Sequence, residues 1–333
     1  MSFSDLPPEI CEQILSQLPV ASLLSFGATS HAAHYAATAS LRTLSLGVFH
    51  SRISGLVSSL DDFEDGDGPT KTVRMLLPKR DARSRRHVVR NQNRVAAEVL
   101  PKYASSLRDL ELVLWELEAP VCDVLRTMPN LRRLSMRFDH PHTRHTKVEK
   151  SYWETSPRST IWNFLCTTDG RFPSTTPMFG RLEALKLERS GITDFQLEQI
   201  LRCNPRIVDL RLQKCLTLTE ETFEFLARGG SGTREDDGSG VVITSRLKTL
   251  HFTKSNNGEI DERILKYISK LISLKNLSFR GCNNLDPNQI KQLNTEEWHI
   301  SNLTLPFTPD SPLLRPVSPS SDPAILEVNP AYK

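Results

Sequence analysis

The 333-residue chain has no run of eighteen apolar residues, so the sequence predicts no helix able to cross a membrane. It also lacks a dominant charge. Its 42 Lys and Arg face 39 Asp and Glu, and a net charge of +3 calls for neither nucleic acid nor an anionic membrane as partner. The first residues, Met-Ser-Phe-Ser-Asp-Leu-Pro-Pro-Glu, have no basic stretch followed by an apolar one, so no secretory signal is expected. Cys11, Cys122, Cys166, Cys203, Cys215 and Cys282 include no C-x-x-C pair. They read as reduced, buried thiols of a cytoplasmic or nuclear protein, not as a disulfide framework. The hydrolase elbow Gly-x-Ser-x-Gly, the zinc motif His-Glu-x-x-His and any dinucleotide or phosphate loop are missing too. No enzyme activity, cofactor or metal is therefore expected. Aromatics make up only 7% of the chain, which argues against a sandwich.

What the chain has in excess is leucine, at 45 positions, and much of it is periodic. An L-x-x-L-x-L pattern places Leu107, Leu110 and Leu112 in one unit and Leu131, Leu134 and Met136 in the next. It returns from Leu182, Ile207, Leu247, Leu274 and Ile300, earlier from Leu41, and loosely over Val73 to Leu76. First positions from Leu107 onward lie 24, 51, 25, 40, 27 and 26 residues apart. Polar insertions at 139–160 and 229–240 account for the two long gaps, leaving a period of about 26 within the leucine-rich-repeat range.

Alternate leucines in a short strand form one inward row. An amphipathic return helix should follow each strand. One is expected with Phe195, Leu197, Ile200 and Leu201 on one face, another with Phe223 and Leu226, and a third with Leu285, Ile290 and Leu293. No unit can bury its leucines alone, so neighbours should stack into a curved solenoid of short parallel strands alternating with helices. Cys215 and Cys282, three residues beyond the last inward position of their strands, take the small buried place that such repeats give to Asn or Cys.

Residues 4–35 have a different organisation. Asp5 is placed to cap a helix with Pro7 and Pro8 in its first turn, and Ile10, Ile14, Leu15 and Leu18 form its apolar stripe. Pro19 ends it, Leu23 and Leu24 begin a second element, and Thr29 or Ser30 can cap a third. The string Leu6-Pro7-x-Glu9-Ile10, Ile14-Leu15, Leu18-Pro19 and Leu23-Leu24 resembles an F-box. The second half departs from the family. Thr29-Ser30-His31 stands for the usual Val-Cys/Ser-Arg, Ala33 stands where Trp is common, and Tyr35 takes the aromatic's place.

An F-box followed by leucine-rich repeats resembles the F-box/leucine-rich-repeat proteins, with the irregular repeats and long insertions often seen in fungal members. The resemblance implies an α/β chain with a three-helix F-box at 1–40, repeats at 41–305 and a proline-rich, unstructured tail at 306–333. It implies a non-catalytic substrate receptor of an SCF-type cullin–RING ubiquitin ligase, bound to a Skp-type adaptor and through it to a cullin. Leu6, Pro7, Ile10, Ile14, Leu15, Leu18, Pro19, Leu23 and Leu24 would then meet the adaptor. A client protein would lie on the outward strand residues, with Arg133, Arg137, Lys186, Arg211, His251 and Arg280 as candidates, because Arg grips carboxylates and phosphates at two points. An interaction scaffold outside any ligase is the alternative.

Three further signals have plain readings. The basic run 79–94 is interleaved with Val88 and Val95 and followed by Val99, as in a helix with one solvated face; a nuclear signal is its other reading. His140, His142 and His145 lie in a polar insertion with no acidic or thiol partner, so a solvated loop is expected there and not a zinc site. The glycine-rich 229–240 segment lacks the Lys-Ser/Thr ending of a phosphate loop and reads as a linker.

Overall fold

The computed structural model describes residues 6–49, 58–60, 63, 69–77, 84–139, 162, 179–228, 246–253, 262–306 and 325–328. The chain divides into two compact units, residues 1–137 with 314–333, and residues 138–313.

The first unit opens with α1 (Pro8–Gln17), α2 (Val20–Gly27) and α3 (His31–Ser40). Pro7 occupies the N-cap of α1 with no side-chain hydrogen bond, and Asp5, expected to cap it, lies outside the described residues. Pro19 forces Leu18 out of helical geometry (ψ 142°), which separates α1 from α2. Ser30 caps α3 by accepting the Ala33 amide at 3.1 Å, and five alanines in the following ten residues favour the helix. Gly27 allows α2 and α3 to meet closely: a Cβ there would stand 3.3 Å from the Ala37 Cβ.

Strands β1 (Thr43–Phe49), β2 (Lys71–Leu76), β3 (Asp109–Leu114) and β4 (Arg133–Phe138) follow, with α4 (Arg85–Val99) after β2 and α5 (Ala119–Arg126) after β3. Their order is β2-β1-β3-β4, so β3 pairs with β1 and β2 is turned out to the far side. The loose pattern over Val73 to Leu76 therefore does not sit between its sequence neighbours. A strand β10 (Ile325–Val328) runs parallel to β2. Expected to be unstructured with the rest of the tail, these four residues satisfy the backbone groups that β2 would otherwise present at an open edge.

The second unit alternates strand and helix: β5 (Ala184–Glu188), α6 (Asp194–Cys203), β6 (Asp209–Gln213), α7 (Glu220–Ala227), β7 (Thr249–Thr253), α8 (Leu265–Ile268), β8 (Asn276–Ser278), α9 (Pro287–Leu293) and β9 (Asn302–Thr304). The strands pair in chain order, all parallel. Register puts Leu185, Leu210, Leu250, Leu277 and Leu303 side by side, with Leu187, Leu212 and Phe252 in the next row. Leu210, Leu212 and Leu250 have no exposed surface. The return helices cover this face with Leu197, Ile200, Leu201, Phe223, Leu226 and Ile290, and Leu285, in the turn before α9, is buried beside them. Phe195, expected on the same stripe, is 57% exposed, because at 100° per residue it lies on the face of α6 opposite Leu197, Ile200 and Leu201.

A backbone device recurs beyond the strands. Arg189, Lys214 and Gly281, each two residues past the last inward position, are left-handed (φ 55°, 54° and 77°). Their amides donate to carbonyls of the following unit, at Gln213 (2.8 Å), Thr253 (2.9 Å) and Pro306 (2.8 Å). The turn spends an uncommon conformation to direct one amide at the neighbouring unit.

Leu210→Ala should lower stability by about 2–5 kcal/mol, the usual cost of truncating a fully buried leucine. Phe195→Ala on the solvent side of α6 should change it by less than about 0.5 kcal/mol. Urea unfolding of the two variants measures both, and similar losses would contradict the assignment of faces.

Candidate functional site

Two surfaces offered by the sequence require testing against the geometry: the apolar helices at the N-terminus and the polar face of the strands. The structure divides the nine apolar N-terminal residues. Leu15 and Leu23 are 1% and 4% exposed and form the small core among the helices. With Val20 they close the small helical layer, where short helices offer few large side chains. Leu6 and Leu18 are half-buried, and Pro7, Ile10, Ile14, Pro19 and Leu24 are exposed. Ile10, Ile14 and Leu24 keep 43%, 43% and 49% of their surface in solvent, and Tyr35 on α3 keeps 77%. Ile10 and Ile14 are one helical turn apart, on one face of α1.

The helices are tied to the strands that follow them. Lys71, at the start of β2, donates to the Ser16 carbonyl at 2.6 Å, at the negative end of α1. Burial pushes the pKa of that lysine down. Arg42 pairs with Glu12. The exposed apolar side chains are therefore carried on an anchored element.

The polar face of the strands differs from the solvated row expected of it. In the first unit Asp109 and Glu111 are each 1% exposed. Arg133, 9% exposed, grips Asp109 in two-point fashion at 2.6 and 2.7 Å, and Thr43 donates to the same carboxylate at 3.1 Å. Glu111 accepts from the hydroxyls of Ser45 (2.5 Å) and Ser58 (2.8 Å), and from the amide (2.9 Å) and hydroxyl (2.5 Å) of Ser59. Ser58 and Ser59 come from the connection between β1 and β2, so the chain itself covers this carboxylate. Arg137 is half-buried.

In the second unit, register aligns Lys186, Arg211, His251 and Ser278 across four strands. Lys186 and Arg211 are 2% and 6% exposed, and Arg211 is held by Asp209 two residues earlier at 2.8–3.2 Å. Arg189 reaches Asp139 at 2.8 Å. His251 and Arg280 are half-buried. Of the six basic residues expected to meet a client, Arg133, Lys186 and Arg211 are thus buried among their own strands, while Arg137, His251 and Arg280 keep accessible surface. The physical reason is that charges left on a packed sheet are stabilised by pairing with the opposite charges beside them.

The basic run is placed by the structure. α4 buries Val88, Val89, Val95 and Ala96 and exposes Arg86, Arg90 and Arg94, so the described part of the basic run is the solvated face of a helix. His140, His142, His145 and the 229–240 segment lie outside the described residues. Among the described residues no cluster of His, Cys, Asp or Glu is placed to hold a metal ion, and no helix is long and apolar enough to cross a membrane.

Sequence comparison agrees with the geometry at the N-terminus. Residues 3–42 match the F-box domain, so the first three helices are an F-box and the strands and helices after them form an α/β region. No curated protein matches the chain. An F-box implies a receptor that binds an adaptor in SCF-type ubiquitin ligases, and F-box proteins are typically non-catalytic.

The thiols at the turns are packed. Cys215 donates to the Leu187 carbonyl at 3.5 Å and Cys282 to the Phe252 carbonyl at 3.6 Å, each reaching the last inward residue of the preceding strand. Burial pushes the Cys215 thiol up to about 11 and the Cys122 thiol up to about 12, from an ordinary 9.0. A thiol raised this way is neutral when folded and loses its proton more readily when unfolded, so its contribution to stability is present below pH 9 and is lost as pH rises above it. In the native protein at pH 8, Cys215 should react with iodoacetamide at least about 100-fold more slowly than an ordinary thiol. Peptide mapping after timed alkylation measures this, and labelling of Cys215 at the rate of a free thiol would contradict a structural role.

Proposed function

We propose that this protein is the substrate-recognition subunit of an SCF-type cullin–RING ubiquitin ligase. In this reading the F-box docks on a Skp-type adaptor, the adaptor links it to a cullin, and the strand–helix units hold the client. The observation that carries the reading is the F-box itself, with Ile10, Ile14, Leu24 and Tyr35 left in solvent on three anchored helices. Apolar side chains presented this way are stabilised when a partner covers them. Leu6, Pro7, Leu18 and Pro19 complete the proposed contact, and Leu15 and Leu23 support it from beneath.

The strand–helix units are read as leucine-rich repeats of the F-box/leucine-rich-repeat type, with 1–40 as the F-box and 41–305 as the repeats. Support comes from the leucine ladder, the left-handed turns and the cysteine positions. Client recognition is assigned to the polar face of the second unit, chiefly through the accessible His251 and Arg280; within the first unit the accessible candidate is Arg137. Lys186, Arg211 and Arg133, held by or packed against neighbouring strands, would set the charge of that face. A second reading, an interaction scaffold outside a ligase and located in the nucleus, draws on the exposed Arg86, Arg90 and Arg94 of α4. Cytoplasm and nucleus are both proposed locations.

Ile14→Asp and Leu24→Asp place charges at exposed positions, so folding should survive. Each should weaken adaptor binding at least about 10-fold, because an interfacial carboxylate would be buried without a partner. Calorimetry of the full chain with purified adaptor measures this, and unchanged affinity in both variants would refute the docking assignment. For the client side, His251→Ala with Arg280→Ala should reduce quantitatively the proteins that co-purify with the receptor while the adaptor stays bound. Full retention of those proteins would move the client site off this face.

A further inference from the structure

Within the first unit the sheet face beneath the F-box is incompletely filled. An apolar cavity of about 160 Å³ lies between α2 and α3 on one side and β1 and β2 on the other. Leu23, Leu44, Leu46, Val73, Met75 and Val99 supply most of its wall. Concave pockets lined mostly by apolar side chains, with a few polar groups at one edge, are the usual form of small-molecule sites.

Burial along β1 and β2 points to the same space. Leu46 and Val48 are fully buried, yet their register partners on β2, Val73 and Met75, are only half-buried. The helices are not held apart, since Gly27 and Ala37 already bring α2 and α3 into close contact at one side of the cavity. The pocket lies between the two layers and opens to solvent beside Leu24 and His34.

One edge is polar. His34 and Thr38 are four residues apart on α3, on one helix face, and Tyr103 belongs to the 3₁₀ turn Leu100–Tyr103 that packs against α3. Among the described residues neither the His34 ring nor the Tyr103 hydroxyl has a hydrogen-bond partner. Burial raises the pKa of Tyr103, so its hydroxyl stays protonated and able to donate at neutral pH.

We propose that this cavity is a binding site for a small uncharged molecule with one apolar ring and one hydroxyl or carbonyl group, the ring lying against Leu46, Val73 and Met75 and the polar group meeting Tyr103 and His34. Such a ligand bridges the F-box helices and the first two strands, and its binding energy stabilises that junction. The site goes beyond the receptor reading; Leu24 at its rim also belongs to the proposed adaptor surface, so the test rests on Leu46, Val73, Met75 and Tyr103, which that surface does not include.

The test uses the full chain with p-cresol, and with toluene as the same shape lacking the hydroxyl. Calorimetry should show saturable p-cresol binding, and p-cresol should raise the unfolding midpoint. Toluene should bind about 5- to 10-fold more weakly, the usual worth of one hydrogen bond. Tyr103→Phe should narrow that difference, whereas Val73→Phe should fill the space and abolish binding of both probes without lowering the ligand-free midpoint. Methyl resonances give a readout that needs no variant: p-cresol should shift those of Leu46, Val73 and Met75 and leave those of Leu210 and Leu250 in place. Absence of saturable binding to the wild-type chain, equal binding by a folded Val73→Phe protein, or shifts confined to Leu210 and Leu250 would overturn the proposal.

Discussion

The contact of one inward leucine with the leucine beside it is the constraint on which the strand–helix region depends. Leu185, Leu210, Leu250 and Leu277 meet in register, and each is buried only because its neighbours are present. A strand of five residues with one row of leucines cannot exclude water from them alone. Two consequences follow from this row. The return helices must present Ile200, Leu201, Phe223 and Leu226 to cover it, and the chain must turn sharply after each strand to reach the helix. Arg189, Lys214 and Gly281 supply that turn in a left-handed conformation, with the amide of each bonded into the following unit.

The same alternation sends every second strand residue to the other face, where the charged residues are. There the packing of strands decides how much of each charge reaches solvent. Asp109 and Arg133 neutralise each other across adjacent strands, Arg211 bonds Asp209, and Ser58 and Ser59 fold onto Glu111. The polar face is therefore a network with a few accessible positions, not a row of independent side chains. Accessible surface on the basic side chains of this face remains at His251, Arg280 and Arg137.

At the N-terminus the balance is reversed. The F-box helices bury Leu15 and Leu23 but leave Ile10, Ile14, Leu24 and Tyr35 to solvent. They hold to the first unit through Lys71 at the end of α1, the Arg42–Glu12 pair, and an apolar junction with β1 and β2 that contains a cavity. Outward apolar side chains of this kind are stabilised when a partner covers them.

The sequence by itself determined the elements that arise from local spacing. Leucines at strand period marked β3 to β9, Leu18-Pro19 marked the break between α1 and α2, and the valines of α4 showed that the basic run shares a helix with a buried stripe. The F-box was legible because its apolar string and prolines are close together in the chain. Only the tertiary structure decided the rest. It placed β2 outside β1 and paired β10 with β2. It buried Arg133, Lys186 and Arg211, which spacing alone had assigned to solvent, and it left an apolar pocket under the F-box. Each of these outcomes depends on contacts between residues tens of positions apart. Local periodicity specifies which face a side chain takes, whereas burial depends on what the rest of the chain brings against that face.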